Sequence, residues 1–272
     1  SVGTNIFVWT VSNGPCENSL TTDTMEVRIF APDAPVANAG QDLALCTPVD
    51  CITLDATPVL DPQTGTWTYI SSVNGNGTIP FGSVDNLNDP NASLCALAVG
   101  VHTLEWSIYN GPCNNDSADE VVISVYDNTA PAANAGDDIY VCSPTESVTL
   151  AANAAVFPGF GTWSITSAQG ANGPLTSGTF ADVNDPLTTI SGLEIGIYTL
   201  TWTISNGPCG NTTDTMIIQV NDPASPNASA GPDQWFCENL TDATMAGNVP
   251  LFPAVGTWTA ISFDPTGTVV DA

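Results

Sequence analysis

The chemistry open to this 272-residue chain rests on eight cysteines, 28 acidic residues, the single histidine His102 and the single cation Arg28. Six cysteines recur at two places, Cys46, Cys142 and Cys237 at one and Cys16, Cys113 and Cys209 at the other. Cys51 and Cys95 are extra, with Ser147 and Ser191 at the corresponding positions one period later. No Cys-x-x-Cys occurs and imidazole is nearly absent, so a zinc site or a redox dithiol does not fit. The cysteines read as structural disulfides, which persist in oxidising, extracytoplasmic space.

The carboxylates gather in sequence where one repeating segment gives way to the next. Asp127 and Asp138 are expected near Asp214, with Asp33, Asp42 and Asp119 as the matching group one period earlier and Asp222 and Asp233 one period later. Calcium takes about six to eight oxygens from carboxylates and carbonyls, and such groups could supply them. Against this, Asp33 is out of register with Asp127 and Asp222, and no EF-hand pattern is present. Aspartate also favours turns and caps, and that reading is preferred, with calcium kept as an expectation to test.

Catalysis finds little support. Two carboxylates and a groove could make a glycosidase, but these acids recur in every period, as a catalytic pair rarely would. There is no Gly-x-Ser-x-Gly elbow and no phosphate loop, and Tyr198 stands where the next period would repeat His102. A net charge of −27 with one arginine excludes nucleic acid and anionic membrane as partners. No apolar run is long enough to span a bilayer, so direct membrane insertion is not expected. With 43% apolar residues the chain can still fill packed cores. The expectation is a secreted, extracellular protein that is not an enzyme.

These residues are positioned by a tandem repeat. Ala39-Gly40-Gln41-Asp42 returns at Ala135-Gly136-Asp137-Asp138 and Ala230-Gly231-Pro232-Asp233. Gly65-Thr66-Trp67 returns at Gly161-Thr162-Trp163 and Gly256-Thr257-Trp258. Asn13-Gly14-Pro15-Cys16 returns at Asn110-Gly111-Pro112-Cys113 and Asn206-Gly207-Pro208-Cys209. The period of about 95 residues is the size of an immunoglobulin-like sandwich. The frame gives 1–34 as the C-terminal part of one repeat, 35–130 and 131–225 as complete repeats, and 226–272 as the N-terminal part of another.

Within a repeat the pattern alternates with period two. Leu104, Trp106 and Ile108 alternate with Thr103, Glu105 and Ser107, and Leu200, Trp202 and Ile204 do the same. This predicts half-buried strands and an all-β, immunoglobulin-like fold. Trp9, Trp67, Trp106, Trp163, Trp202 and Trp258 are all placed on inward faces. Trp235, with Tyr140 and Ala44 at the equivalent positions, is placed on the outer face as a surface contact. The linkers have constant length and carry proline, as in Ala31-Pro32-Asp33 and Asp222-Pro223-Ala224, which predicts a stiff rod.

The sandwich also suggests how the thiols pair. Cys51 opens strand B and Cys95 closes its antiparallel neighbour E, which predicts a Cys51–Cys95 bridge. The F–G turn and the start of strand A share a pole, which favours Cys46–Cys113 and Cys142–Cys209, with Cys16 and Cys237 paired outside this sequence. The rival pairing, Cys16–Cys46, Cys113–Cys142 and Cys209–Cys237, has to span strand G, about ten residues or roughly 33 Å.

Ala-Gly-x-Asp, a nearby Cys, Gly-Thr-Trp, an apolar-x-Trp strand and Asn-Gly-Pro-Cys, in that order, resemble the tandem PKD/immunoglobulin-like repeats of giant Bacteroidota surface proteins, which include gliding adhesins and appendage-forming filament proteins. The resemblance covers the whole chain. It implies export by the type IX route and cell-surface display. It further implies a stalk or filament serving adhesion, gliding or prey capture, with other copies of the same or similar chain, or a surface glycan or protein, as partners. The alternative is that the repeats themselves bind glycan or protein. The same resemblance implies O-glycosylation at Thr24, Ser117 and Thr215, each following Asp and preceding an apolar residue.

Overall fold

A computed structural model describes residues 1–15, 20–33, 35–237 and 242–260; Cys16 lies outside the described residues. The chain separates into two compact units. The first comprises Ser1–Ala132, Ala155–Phe160 and Ile204–Thr212, and the second Ala133–Ala154, Gly161–Thr203 and Thr213–Ala272.

The first unit opens with an antiparallel hairpin, β1 (Gly3–Ser12) and β2 (Leu20–Ile29). Eight strands follow: β3 (Leu43–Cys46), β4 (Cys51–Thr53), β5 (Thr64–Asn74), β6 (Gly77–Thr78), β7 (Ser83–Val84), β8 (Ser93–Cys95), β9 (Gly100–Tyr109) and β10 (Ser117–Tyr126). They form a five-stranded sheet ordered β3-β10-β9-β5-β6 and a three-stranded sheet ordered β4-β8-β7. Every pairing is antiparallel except β3 with β10, which run parallel with Cys46 opposite Tyr126. The alternation in β9 is the one read from sequence, with Gly100, His102, Leu104, Trp106 and Ile108 buried, Val101, Thr103, Glu105 and Ser107 between them half-buried and Tyr109 exposed.

The next repeat copies this arrangement with β11 (Ile139–Cys142), β12 (Ser147–Thr149), β13 (Phe160–Gly170), β14 (Gly173–Pro174), β15 (Thr179–Phe180), β16 (Thr189–Ser191), β17 (Gly196–Ser205) and β18 (Asn211–Asn221). Its sheets are β11-β18-β17-β13-β14 and β12-β16-β15, and β11 again pairs parallel with β18. The fold is therefore a tandem array of immunoglobulin-like β-sandwiches. Among the described residues of 226–260 no strand forms.

Two tryptophans centre each complete sandwich. Trp67 and Trp106 lie 5.1 Å apart at 49°, and Trp163 and Trp202 lie 5.0 Å apart at 45°, tilted pairs of the kind aromatic quadrupoles favour. The Gly-Thr-Trp motif exists to admit the second ring. A Cβ on Gly65 would stand 2.2 Å from the Trp106 ring, and one on Gly161 2.0 Å from that of Trp202. Trp106 Nε1 donates to Thr57 O and Trp202 Nε1 to Asn153 O, each at 3.0 Å.

Two sequence expectations are corrected. Trp9 and Trp258 are 73% and 54% exposed, because the sheets that cover the equivalent tryptophans of the complete repeats have no counterpart among the described residues of 1–34 and 226–260. Second, the pairings Cys46–Cys113 and Cys142–Cys209 do not form. Cys46 is bonded to Cys209, with Cα atoms 5.3 Å apart, while Cys113 and Cys142 are exposed free thiols, as is Cys237. Parallel pairing of β3 with β10 sets Cys46 beside Tyr126, at the end of β10 where the linker begins. Cys113 precedes the other end of the same ten-residue strand, roughly 33 Å away at strand rise. Only the segment before the strand comes near the turn, with Ala37 N donating to Ser117 Oγ; β3 itself pairs with the far half of β10, from Ile123 to Tyr126, and Cys46 ends it. Cys51 and Cys95 are opposite in register and bonded, with Cα atoms 4.2 Å apart.

Candidate functional site: a clamp on the linker

At two of the three Asn-Gly-Pro-Cys motifs, those of the complete repeats, the chain folds into a 3₁₀ turn, Gly111–Cys113 and Gly207–Cys209. The glycine takes the left-handed conformation, with φ 56° at Gly111 and 51° at Gly207, which L residues rarely adopt. It also lies flat on an aromatic ring of the preceding linker. A Cβ on Gly111 would stand 2.6 Å from the Phe30 ring, and one on Gly207 2.6 Å from the Tyr126 ring. Any side chain at either position would be strained and would clash.

The asparagine before the glycine holds the linker backbone. Asn110 Nδ2 donates to Ala31 O at 2.9 Å and Asn115 Nδ2 donates to Pro32 O at 2.9 Å. At the corresponding place Asn206 Nδ2 donates to Asp127 O at 2.8 Å. Asn110 is fully buried and accepts from Gln63 Nε2 at 2.9 Å, while its own backbone N–H donates to Asp116 Oδ1 at 2.9 Å. A buried amide tied on all sides fixes direction as well as distance. Both clamps, the linker residues they hold and the Cys46–Cys209 bond belong to the first unit. Sequence reasoning placed the asparagine in a turn motif and missed the clamp. The signal was present, since Phe30 and Tyr126 both stand five residues before the proline that opens the next repeat.

The aspartates mostly accept backbone N–H groups. Asp42 Oδ1 accepts from Val122 N at 2.9 Å and Asp138 Oδ1 from Ile217 N at 2.8 Å. Asp119 Oδ2 accepts from Ala39 N and Asp214 Oδ2 from Ala135 N, both at 2.8 Å. These four carboxylates stitch the segment before the first strand to the last strand, upstream of the parallel ladder. Asp127 accepts from Thr129 Oγ1 and Thr129 N, and these bonds, the hydroxyl's first, hold its carboxyl below the usual range. Asp222 closes the same turn through Ala224 N at 2.8 Å. Asp33 and Asp233 are exposed. Among the described residues no three Asp, Glu, His or Cys side chains gather as a metal ion requires.

His102 has a structural task. It is fully buried, with Nδ1 2.7 Å from Ser72 Oγ and Nε2 2.9 Å from Ala98 O. The equivalent Tyr198 lies 2.7 Å from Ser177 Oγ and accepts from Glu194 N at 2.8 Å. Each ring ties its strand to the loop just before it, as the tyrosine corner of immunoglobulin domains does. Arg28, the one guanidinium, pairs with Glu26 on the same strand. Tyr140 is 63% and Trp235 85% exposed. Thr24 and Thr215 are exposed, whereas Ser117 is half-buried with Oγ accepting from Ala37 N at 2.8 Å. Among the described residues no helix is long and apolar enough to cross a membrane.

No family model matches the chain. Over 206 residues, 75% of its length, it is 23% identical to the dyslexia-associated protein KIAA0319-like protein of Mus musculus, of which it spans 19%. Among solved structures it is similar to the PKD domain from KIAA 1837 protein at 26% identity, covering 35% of this chain and 90% of that one with a TM-score of 0.28. It is also similar to the PKD domain from human KIAA0319 at 19% identity, covering 38% of this chain and 87% of that one with a TM-score of 0.27. A third likeness is to a complex of Dpr2 Ig1-Ig2 with DIP-Theta Ig1-Ig3, at 11% identity over 80% of this chain and 73% of that one, TM-score 0.41. The strand order and register of both repeats are those of an immunoglobulin-like β-sandwich, and the described residues hold two disulfides.

Proposed function

We propose that the chain is a stalk segment of a very large secreted bacterial surface protein that serves adhesion, gliding or the capture of prey and surfaces. The observation that carries this reading is the clamp on the linker together with the Cys46–Cys209 bond. Tension along the chain passes from β10 into the linker at Tyr126. Beside it, a covalent path now runs from the end of β3 to the turn of the following repeat. A binding module gains nothing from such a bypass, whereas a load-bearing tether does.

The reading extends to a Bacteroidota origin with type IX export and to glycans on Thr24, Ser117 and Thr215, while calcium at the aspartates is the minor alternative to their turn role and is tested by chelation. Its partners are further copies of the chain in a filament, or a surface glycan or protein met by domains beyond this sequence. Glycosylation is best supported at Thr24 and Thr215, whose side chains are exposed.

A second reading, in which the repeats bind glycan or protein, draws on Tyr140 and Trp235, exposed aromatics at the same repeat position. Glycan-array binding, with negative-stain microscopy of the native protein, separates the two. The stalk reading expects no glycan bound and extended threads or fibres. Specific binding that is lost in Trp235→Ala or Tyr140→Ala would replace it with the binding reading.

A further inference from the structure

The free thiols of Cys113 and Cys142 fall into place once the Cys46–Cys209 bond is read as a rule of the array. Cys142 ends β11 as Cys46 ends β3, and in both cases the strand pairs parallel with the last strand of its own repeat. Cys46 stands opposite Tyr126 and Cys142 opposite Asn221, where the next linker begins. Cys113 closes a 3₁₀ turn identical in sequence to the one that presents Cys209. That turn is already clamped on a linker, with Asn110 on Ala31 O and Gly111 against Phe30, in the manner of Asn206 and Gly207 on Asp127 O and Tyr126. Each free thiol thus occupies one half of a junction whose other half is seen completed at Cys46–Cys209, and both are exposed.

We infer that every repeat junction carries one disulfide, from the cysteine ending the first edge strand of a repeat to the Asn-Gly-Pro-Cys cysteine of the repeat that follows. Cys142 takes the turn cysteine of the repeat that begins at 226. Cys113 takes the first-strand cysteine of the repeat whose last hairpin is β1–β2. Each bond forms by thiol–disulfide exchange. The two protein thiols lose two protons and two electrons to an external disulfide of the oxidising compartment, which is reduced to two thiols. The result is a covalent ladder in which no linker is the sole connection between neighbours.

Two arms test this. In the 272-residue chain, alkylation without reductant labels Cys113 and Cys142 and spares Cys46, Cys209, Cys51 and Cys95. A Cys113–Cys142 bond within one monomer would overturn the inference. In the second arm residues 35–225 are duplicated in place and the first copy carries Cys113→Ser. Non-reducing peptide mapping then links Cys142 of the first copy to Cys113 of the second, and neither is labelled. Free thiols at both, or a Cys46–Cys113 link inside the second copy, would overturn it. An intact Cys51–Cys95 bridge in both copies certifies that the longer chain has folded.

Discussion

In residues 35–130, Trp67 Nε1 donates to Asp89 O at 3.0 Å and Gln63 Nε2 donates to Asn110 Oδ1 at 2.9 Å. One period later Trp163 Nε1 and Asn206 Oδ1 are buried without a partner among the described residues. Cys51 and Cys95 join the first sandwich's smaller sheet, where the second places Ser147 opposite Ser191. The tryptophan pairs, the parallel edge strands and the aspartate stitches are otherwise the same. The shared parts define the fold, and the differences concern only how completely each copy satisfies and cross-links it. Repeat 35–130 is therefore expected to be the more stable, since an unmade buried hydrogen bond costs about 1–3 kcal/mol.

The largest effect tests what the two copies share. Trp106→Ala and Trp202→Ala should each cost about 3–5 kcal/mol by emptying the centre of a core, measured as a shift in the denaturant midpoint of the affected repeat. Gly65→Ala should act in the same direction, since its Cβ falls 2.2 Å from the Trp106 ring, at a cost of about 1–3 kcal/mol.

Next comes the bridge that separates them. Cys51→Ser with Cys95→Ser should cost about 2–4 kcal/mol and bring the two unfolding transitions together. The reciprocal Ser147→Cys with Ser191→Cys should raise the second transition, because these residues already face each other in register. If the serine pair leaves the first midpoint unmoved, the bridge is not what sets the copies apart.

Gln63→Ala leaves Asn110 Oδ1 as bare as Asn206 Oδ1 and should cost about 1–3 kcal/mol, seen as faster amide exchange around residues 110–116. The smallest effects belong to the aspartates. The carboxyl of Asp127 is held below its ordinary value by Thr129. Its contribution is therefore present above the ordinary carboxylate pKa and is lost as pH falls through the lower folded value. Thr129→Val should reduce that acid-limb loss in a pH titration of the melting temperature. Chelation with EDTA tests the calcium expectation. With six of the eight proposed ligands already accepting backbone N–H groups, the melting temperature should hold, and a fall of several degrees would establish calcium.

Much of this molecule could be read from its residues. Period-two alternation placed the strands around Trp106 and Trp202, because a half-buried strand has to alternate. The recurrence of three motifs gave the period at which β3–β10 return as β11–β18, and Cys51–Cys95 followed from two neighbouring strands that meet at one pole. The linker clamp stayed hidden because its parts, Asn110 with Ala31 and Asn206 with Asp127, are 79 residues apart.

The sequence by itself determined that the chain is an acidic array of disulfide-bonded β-sandwiches without the cations that nucleic acid demands. Only the tertiary structure decided where the recurring cysteines go. Their fate depends on whether the first edge strand runs parallel or antiparallel to the last, and that choice is made by hydrogen bonds between segments about 80 residues apart. Local residue patterns are the same for either direction, and the two directions put Cys46 at opposite ends of the sandwich.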